Sequence, residues 1–183
     1  MGMALADLFW TVERVHALPD DVNRYECIDG LLLVSPSPGR PHQYVLAELN
    51  ELVRAYVKRH RLGQTVFAPA DVIFSDVRLL QPDLLVERGD SSTQPPDLLL
   101  VVEVLSTATA HRDRGLKRRT YQQERVSEYW VVDGVARVIE RWLPDADEPT
   151  RHAETLTWHP EGASAPFVLD VAALFRAALD PDD

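Results

Sequence analysis

The chain has 183 residues, a length that suits one domain with a hydrophobic core, and we expect a single domain over residues 1–183. Hydrophobic residues make up 45% and charged residues 26% of the chain, which favours a globular protein over a disordered one. The net charge of -10 excludes a protein that coats nucleic acid non-specifically with a basic surface. The longest apolar stretch, Leu98–Val102, is far shorter than the roughly 20 residues of a membrane helix. The N-terminus has no signal pattern and Cys27 is the only cysteine, so we expect a cytoplasmic protein without a membrane partner.

The first third of the sequence predicts a helix, a hairpin and a longer helix. A short helix is expected near residues 11–17, ending before Pro19. Asp29-Gly30 separates two apolar stretches within residues 25–34, which predicts a β-hairpin. Apolar residues then recur every three or four positions from 42 to 61, the period of a helix that Gly63 is expected to cap.

Strands dominate the middle of the chain, at Thr65–Phe74, Pro82–Val86 and Asp97–Leu105. The last of these is apolar on both faces, which is typical of a central strand covered on each side by helices. Further along, the sequence predicts a helix at 113–124, a strand at 128–132 that turns through Asp133-Gly134 into a strand at 135–142, a weaker strand at 154–158 and a helix at 171–179. The order from residue 42 is helix-strand-strand-strand-helix-strand, so we expect an α/β fold in which helices flank a mixed central β-sheet, with an N-terminal hairpin and C-terminal strands.

Two carboxylates do not suit a plain apolar core. Glu103 lies inside the most apolar strand, where an ionised carboxylate costs several kcal/mol unless a cation or hydrogen-bond donors compensate it. Asp83 begins another apolar strand, directly after Pro82. If the two strands are neighbours, both carboxylates can bind one hard divalent cation such as magnesium, which takes one or two carboxylates together with water and phosphate oxygens.

Lys117 is the candidate cation beside these carboxylates. It lies four residues after Asp113 and four before Tyr121, so the three share one helical face. A lysine there could balance negative charge in the transition state of phosphodiester hydrolysis, while a bound metal lowers the pKa of the attacking water. Two structural alternatives stay open: a surface Asp113–Lys117 salt bridge worth less than about 1 kcal/mol, and a buried Glu103–Lys117 ion pair without a metal.

These residues occur in a recognisable order. Pro82-Asp83, followed by Val102-Glu103-Val104-Leu105-Ser106, resembles the PD-(D/E)xK signature of restriction-endonuclease-like nucleases. Leu105 stands where that signature has its lysine, a departure typical of the Uma-type branch, in which the lysine comes from the following helix, where Lys117 lies. The resemblance extends from about residue 7 to 179 and includes residues 25–30, 41–42, 71–72, 96–98, 113–117, 121 and 128–133.

The resemblance implies a restriction-endonuclease-like fold and a homodimeric, Mg²⁺-dependent endonuclease that hydrolyses DNA, with Mn²⁺ as a possible substitute. By match, Asp83 and Glu103 are the metal ligands, the backbone carbonyl of Val104 is a third, and Lys117 positions the attacking water. Supporting roles are implied for Glu26, His42, Asp71, Asp113 and Tyr121.

Each supporting residue also has an ordinary structural explanation. Glu26 and Asp71 could cap turns or pair with arginines, His42 could be a surface residue at a helix start, and Tyr121 could be a buried aromatic. The segment His111–Arg119 contains five arginines and lysines against one aspartate, so it is either a local DNA contact or a solvated helix face. A non-catalytic nucleic-acid- or protein-binding member of the fold, and a hydrolase of another phosphate ester, are the alternative functions.

Overall fold

The computed structural model describes residues 9–89, 96–107 and 109–180. In the N-terminal part the elements are α1 (Val12–His16), β1 (Arg24–Ile28), β2 (Leu31–Ser35), α2 (Arg40–His60), β3 (Gln64–Phe67), β4 (Val72–Ser75), β5 (Arg78–Leu80), β6 (Leu84–Arg88) and β7 (Asp97–Val104). They are followed by α3 (Ala110–Arg112), a π-helical turn (Asp113–Lys117), α4 (Arg118–Gln123), β8 (Tyr129–Asp133), β9 (Val138–Trp142), β10 (Thr150–His152), β11 (Thr155–Trp158), β12 (Phe167–Asp170) and α5 (Val171–Leu179).

A six-stranded mixed sheet forms the centre of the molecule. Its strand order is β10-β9-β8-β7-β6-β3, and β7 runs parallel to β8 while the other neighbouring pairs are antiparallel. One face of the sheet packs against α2 and α5 through residues such as Leu49 and Phe175. The opposite face packs against Tyr121 of α4 and against the smaller sheet β2-β1-β5-β4. The predicted mixed α/β sheet, with a buried central strand at β7, is therefore confirmed.

The predicted strand Thr65–Phe74 is wrong, because this segment forms two strands in two different sheets. β3 pairs with β6 at the edge of the large sheet, whereas β4 pairs with β5 in the small sheet. Pro69 lies between them, and a proline, which has no amide hydrogen, does not continue a ladder of hydrogen bonds. The three-residue strand β5, which sequence reasoning missed, joins β4 to the hairpin strand β1.

Two turns also differ from the prediction. Arg61, not Gly63, takes the left-handed conformation that ends α2, with φ of 54°. Gly63 instead permits a close backbone approach, since a Cβ there would collide with the carbonyl oxygen of Glu87. The connection from β8 to β9 is not a two-residue turn: it spans residues 134–137, and the Asp133 carboxylate accepts hydrogen bonds from the Val135 and Ala136 amides at 3.0 and 2.9 Å.

The C-terminal part follows the expected order. β11 pairs with β12 in a separate two-stranded sheet, and α5 covers Val171–Leu179 as predicted. No helix in the described ranges is both long enough and apolar enough to cross a membrane.

A buried acidic cluster beside a cavity

Two neighbouring strands bring the predicted metal ligands together. β6 pairs with β7 so that Leu84 lies opposite Val102, and Asp83, just before β6, is therefore adjacent to Glu103 on β7. The small sheet covers this end of the pair, and its strand β1 contributes Arg24 and Glu26 from one face of the strand. The expectation that Asp83 and Glu103 lie on neighbouring strands is confirmed.

Asp83 is buried and held by three donors. Its Oδ1 accepts a hydrogen bond from the Arg24 guanidinium at 2.8 Å, and its Oδ2 accepts from Nε2 of His42 at 2.9 Å and from the Val104 amide at 2.8 Å. Burial works to raise the pKa of Asp83, but the hydrogen bonds and charges of His42 and Arg24 outweigh it and lower the pKa. These partners therefore favour the ionised form of the Asp83 carboxylate.

Glu103 has the opposite electrostatic balance. Its Oε1 accepts hydrogen bonds from Nζ of Lys117 at 2.9 Å and from the Tyr121 hydroxyl at 3.1 Å. Burial raises the pKa of Glu103 well above its ordinary value, and the charge of Lys117 opposes this only in part. Both hydrogen bonds end on Oε1. The other oxygen, Oε2, accepts none from a described residue and is available to a metal ion.

Lys117 is the shared counter-ion of three carboxylates. Its Nζ lies 2.9 Å from Oε1 of Glu103, 2.9 Å from Oε1 of Glu26 and 3.9 Å from Oδ1 of Asp113. Burial alone would lower the pKa of Lys117, but these carboxylates raise it above the ordinary value, so the ammonium stays charged. Because Lys117 and Asp113 are both buried, the surface salt bridge considered from the sequence is wrong.

The π-helical turn Asp113–Lys117 sets the position of this lysine. A π-helix contains one more residue in each hydrogen-bonded turn than an α-helix, and such turns are frequent at functional sites. Asp113, at its start, is buried, and neither of its carboxylate oxygens accepts a hydrogen bond from a described residue. Burial raises the pKa of Asp113.

The cluster contains more carboxylates than permanent cations. Four buried carboxylates, Glu26, Asp83, Glu103 and Asp113, meet two permanent cations, Arg24 and Lys117, so the carboxylates outnumber these cations by two. A cavity of about 190 Å³ opens onto this cluster, lined by Asp83, Glu103, Lys117, Arg24, His42 and polar residues of neighbouring loops.

A divalent cation fits this donor set. It would compensate the surplus of carboxylates, and Oε2 of Glu103 accepts no hydrogen bond from a described residue. The described residues contain no group of three or more His, Cys, Asp or Glu side chains arranged to hold a metal. Two carboxylates supplemented by water and substrate oxygens are nonetheless the ordinary environment of Mg²⁺.

Not every predicted site residue lies at the cavity. Glu26 contacts Lys117, and Tyr121 contacts Glu103. His42 is buried against Asp83, so the alternative interpretation as a surface histidine is wrong. Asp71 instead pairs with His16 at 2.8 Å, on the outside of the small sheet, and does not line the cavity.

Arg24 is the cluster residue that sequence reasoning missed. The signal was the alternation of Arg24 and Glu26, which places both side chains on the same face of the hairpin strand. An arginine that shares a strand face with a buried glutamate indicates a charged cluster rather than a solvated edge.

Half-buried arginines of the basic segment His111–Arg119 contact other parts of the protein. Arg114 pairs with Asp133 and Glu140, Arg118 stacks on Trp142, and the Arg112 guanidinium donates to the Val34 carbonyl. These contacts account for three of its arginines without a DNA partner.

Comparisons with known proteins agree with this fold. A crystal structure described as a putative nuclease of DUF820 from Anabaena variabilis superposes with a TM-score of 0.76, covering 93% of this chain and 99% of that chain at 20% sequence identity. At that identity the likeness shows a shared fold. No curated protein matches the chain. The family model Uma2, described as "putative restriction endonuclease", matches residues 12–172, and this supports a nuclease-like function. Since the match covers most of the sequence, the chain belongs to the Uma2 family.

Proposed function

We propose that the protein is a divalent-metal-dependent endonuclease that hydrolyses phosphodiester bonds of DNA. The observation that carries this proposal is the surplus of buried carboxylates around Lys117, at a cavity open to a ligand. A cluster of this kind is costly for stability unless a cation compensates it, and here four carboxylates face two permanent cations, Lys117 and Arg24.

Asp83 and Glu103, with the backbone carbonyl of Val104 as a third ligand, would hold Mg²⁺, and Mn²⁺ could replace it. When bound, the metal supplies Lewis acidity and lowers the pKa of a coordinated water. Asp83 suits this role because Arg24, His42 and the Val104 amide keep it ionised and fixed in orientation.

The protein's own groups would act on the phosphate from two sides. The Nζ of Lys117 carries a fixed positive charge at the cavity wall, where it stabilises the negative charge that develops on the phosphate oxygens. Tyr121 and Lys117 together orient Glu103. Gly39 precedes α2 at the cavity without a side-chain cap, so the partial positive charge of this helix start also favours a phosphate.

The alternative is a non-catalytic member of the same fold that binds nucleic acid or protein. The contacts of Lys117 with three carboxylates favour it, because such a cluster can persist as a structural ion network. Homodimerisation, implied by the resemblance, also stays a prediction, which light scattering of the purified protein would test.

The proposal is tested by calorimetric titration of MgCl₂ and MnCl₂ into wild type, Asp83→Asn and Asp71→Asn, alongside nicking of plasmid DNA by the same three proteins. Asp71→Asn is the matched control, since it makes the same change at a carboxylate that does not line the cavity. We expect metal binding and nicking in wild type and in Asp71→Asn, and neither in Asp83→Asn. A wild type that binds no metal and cleaves nothing would establish the non-catalytic alternative.

A further inference from the structure

A groove leads from the cavity along helix α2. The cavity shares Arg24, Ser37, Pro38 and Asp83 with a second cavity of about 450 Å³. The second in turn shares Gln43, Leu46 and Phe67 with a third cavity of about 380 Å³. The three cavities therefore adjoin one another, and the part beyond Asp83, lined by Gln43, Leu46, Ala47, Asn50 and Phe67, is called the α2 groove below.

The α2 groove combines an exposed ring with two amide side chains. Phe67 is the last residue of the edge strand β3, and 54% of its surface is exposed. The Oδ1 atom of Asn50 is shielded from solvent but has no hydrogen-bond partner among the described residues, and Gln43 is exposed in the same groove. A flat apolar ring suits base stacking, and amide groups suit the polar edge of a base.

The acidic residues at the margins of the groove favour an unpaired DNA strand over a duplex. Asp20 and Asp21 line the second cavity and Glu51 lines the third, so this path repels phosphates. A duplex presents its phosphates outward and keeps its bases stacked inside, which leaves no base for Phe67. An unpaired strand can turn its bases toward the groove and its phosphates away from the acidic margins.

The groove also has a suitable length. Residues 42–50 of α2 span about 12 Å at 1.5 Å per residue, which corresponds to three or four nucleotides at about 3.4 Å each. A stacked strand whose reacting phosphate lies against Lys117 and the start of α2 would therefore place a base within three or four nucleotides of that phosphate at Phe67.

We propose that the α2 groove binds an unpaired DNA strand next to the phosphate to be cleaved, with one base stacked on Phe67. This inference rests on the proposed function and specifies its substrate as single-stranded DNA or an unpaired region of DNA. The exposed Gln43 side chain contacts the edge of a bound base.

The test measures fluorescence anisotropy of a labelled oligodeoxythymidine of about 12 nucleotides, alone and paired with oligodeoxyadenosine, in MgCl₂, with phosphorothioate linkages that resist cleavage. Wild type is compared with Phe67→Ala, with Phe67→Trp and with the control Phe9→Ala, which removes a ring of similar exposure, 58%, outside the groove. Metal-dependent cleavage of both DNA forms is measured separately.

We expect wild type to bind the single strand more tightly than the duplex, and Phe67→Ala to weaken single-strand binding about tenfold or more. Phe67→Trp and Phe9→Ala should bind as wild type does. Equal loss in Phe67→Ala and Phe9→Ala, equal binding of both DNA forms, or no single-strand binding would overturn the inference. If duplex is cleaved without any effect of Phe67→Ala, the nuclease stands and the groove assignment fails; single-strand binding without cleavage by any metal contradicts the nuclease alone.

Discussion

Lys117 shows how a single charged side chain organises a buried site. Three carboxylates surround its ammonium, and two of them lie at 2.9 Å. Glu103 and Lys117 could be identified from the sequence, because a charge inside an apolar strand or on the inner face of a helix requires a partner. The contact of Arg24 with Asp83 could not, since it joins residues 59 positions apart across two sheets, and no local pattern specifies such pairs.

Removing one acid from the cluster should stabilise the metal-free protein. Glu103→Gln takes away a buried carboxylate whose ionisation burial opposes, while Glu26 and Asp113 still neutralise Lys117. We expect the free energy of unfolding in EDTA at neutral pH to rise by about 1 kcal/mol, while metal binding is lost. Urea denaturation followed by circular dichroism measures this difference.

Lys117→Met removes a cation instead of a carboxylate, and its effect on stability is compared with that of Glu103→Gln. It leaves the four carboxylates with Arg24 as their one permanent cation among the described residues, so we expect a loss of about 3 kcal/mol in EDTA. If Glu103→Gln were as destabilising as Lys117→Met, the Glu103–Lys117 contact would be a structural ion pair, and Glu103 would not be a carboxylate kept for metal binding.

At the scale of elements, the regular spacing of apolar residues predicted the long helices and the central strand correctly. Helices α2 and α5 and the central strand β7 follow the predicted positions, because many residues repeat the same pattern. The three-residue strands β5 and β10 are too short to carry a pattern, and their pairing depends on neighbours that are distant in sequence. The π-helical turn was likewise invisible, since its five residues differ from an α-helix by one hydrogen-bond register.

Deleting Gly115 tests the π-helical turn. The shorter segment would wind as a regular α-helix, which rotates the residues on one side of the deletion by about 100° relative to the other side. Lys117 and Tyr121 could then not both reach Glu103 while Asp113 stays buried, and we expect nicking activity to fall at least about 100-fold. Plasmid nicking at equal protein concentration measures the effect.

Gly115→Ala is the matched control for this deletion. A Cβ at residue 115 would meet no atom within 4 Å, and alanine favours helices by up to about 1 kcal/mol over glycine. The substitution should keep the nicking rate and preserve or raise stability. Full activity in the deletion variant, with a folded circular dichroism spectrum, would show that the π-helical turn does not position the lysine.

The loop between β8 and β9 gives a pH-dependent prediction. Burial works to raise the pKa of Asp133, but hydrogen bonds from the Ala136 amide and from Arg114 outweigh it and lower the pKa. A lowered pKa in the folded state means that this carboxylate stabilises the protein above its unfolded pKa, near 3.8, and that the stabilisation disappears as the pH falls through the folded value. Asp133→Asn should therefore lower the unfolding free energy by about 1 kcal/mol at pH 7 and by almost nothing near pH 2.

Urea denaturation across this pH range measures the dependence, with Asp145→Asn as the control. Asp145 pairs with Arg125 at the surface, where both side chains are mostly exposed, so its replacement should change stability little at any pH. A pH-independent loss in Asp133→Asn would mean that its carboxylate charge does not contribute.

At the scale of the whole molecule, the two sheets together complete the site. Arg24 and Glu26 come from the small sheet, whereas Asp83 lies just before β6 and Glu103 lies in β7, two adjacent inner strands of the large sheet. Sequence order predicted the large sheet well, because its core follows the expected succession of elements. The small sheet was predicted only as its hairpin, since the strands that complete it are short and interrupted by turns.

Hydrogen exchange should reveal this organisation as a gradient of protection. β7 is buried along almost all its length between β6 and β8, so we expect its amides to exchange most slowly. The edge strand β10 is mostly exposed and should exchange fastest among the strands of the large sheet. Native-state exchange followed by NMR measures both, and equal protection of β7 and β10 would contradict the prediction.

The spread of the acidic cluster along the chain has a consequence during protein synthesis. Its members extend from Arg24 to Tyr121, and the lysine that neutralises three of its carboxylates is among the last to be made. The ribosome therefore synthesises the acidic residues before Lys117. A chain that terminates before residue 117 contains these carboxylates without the lysine that pairs with them. The completed site is a late event of translation, and prematurely terminated chains lack it.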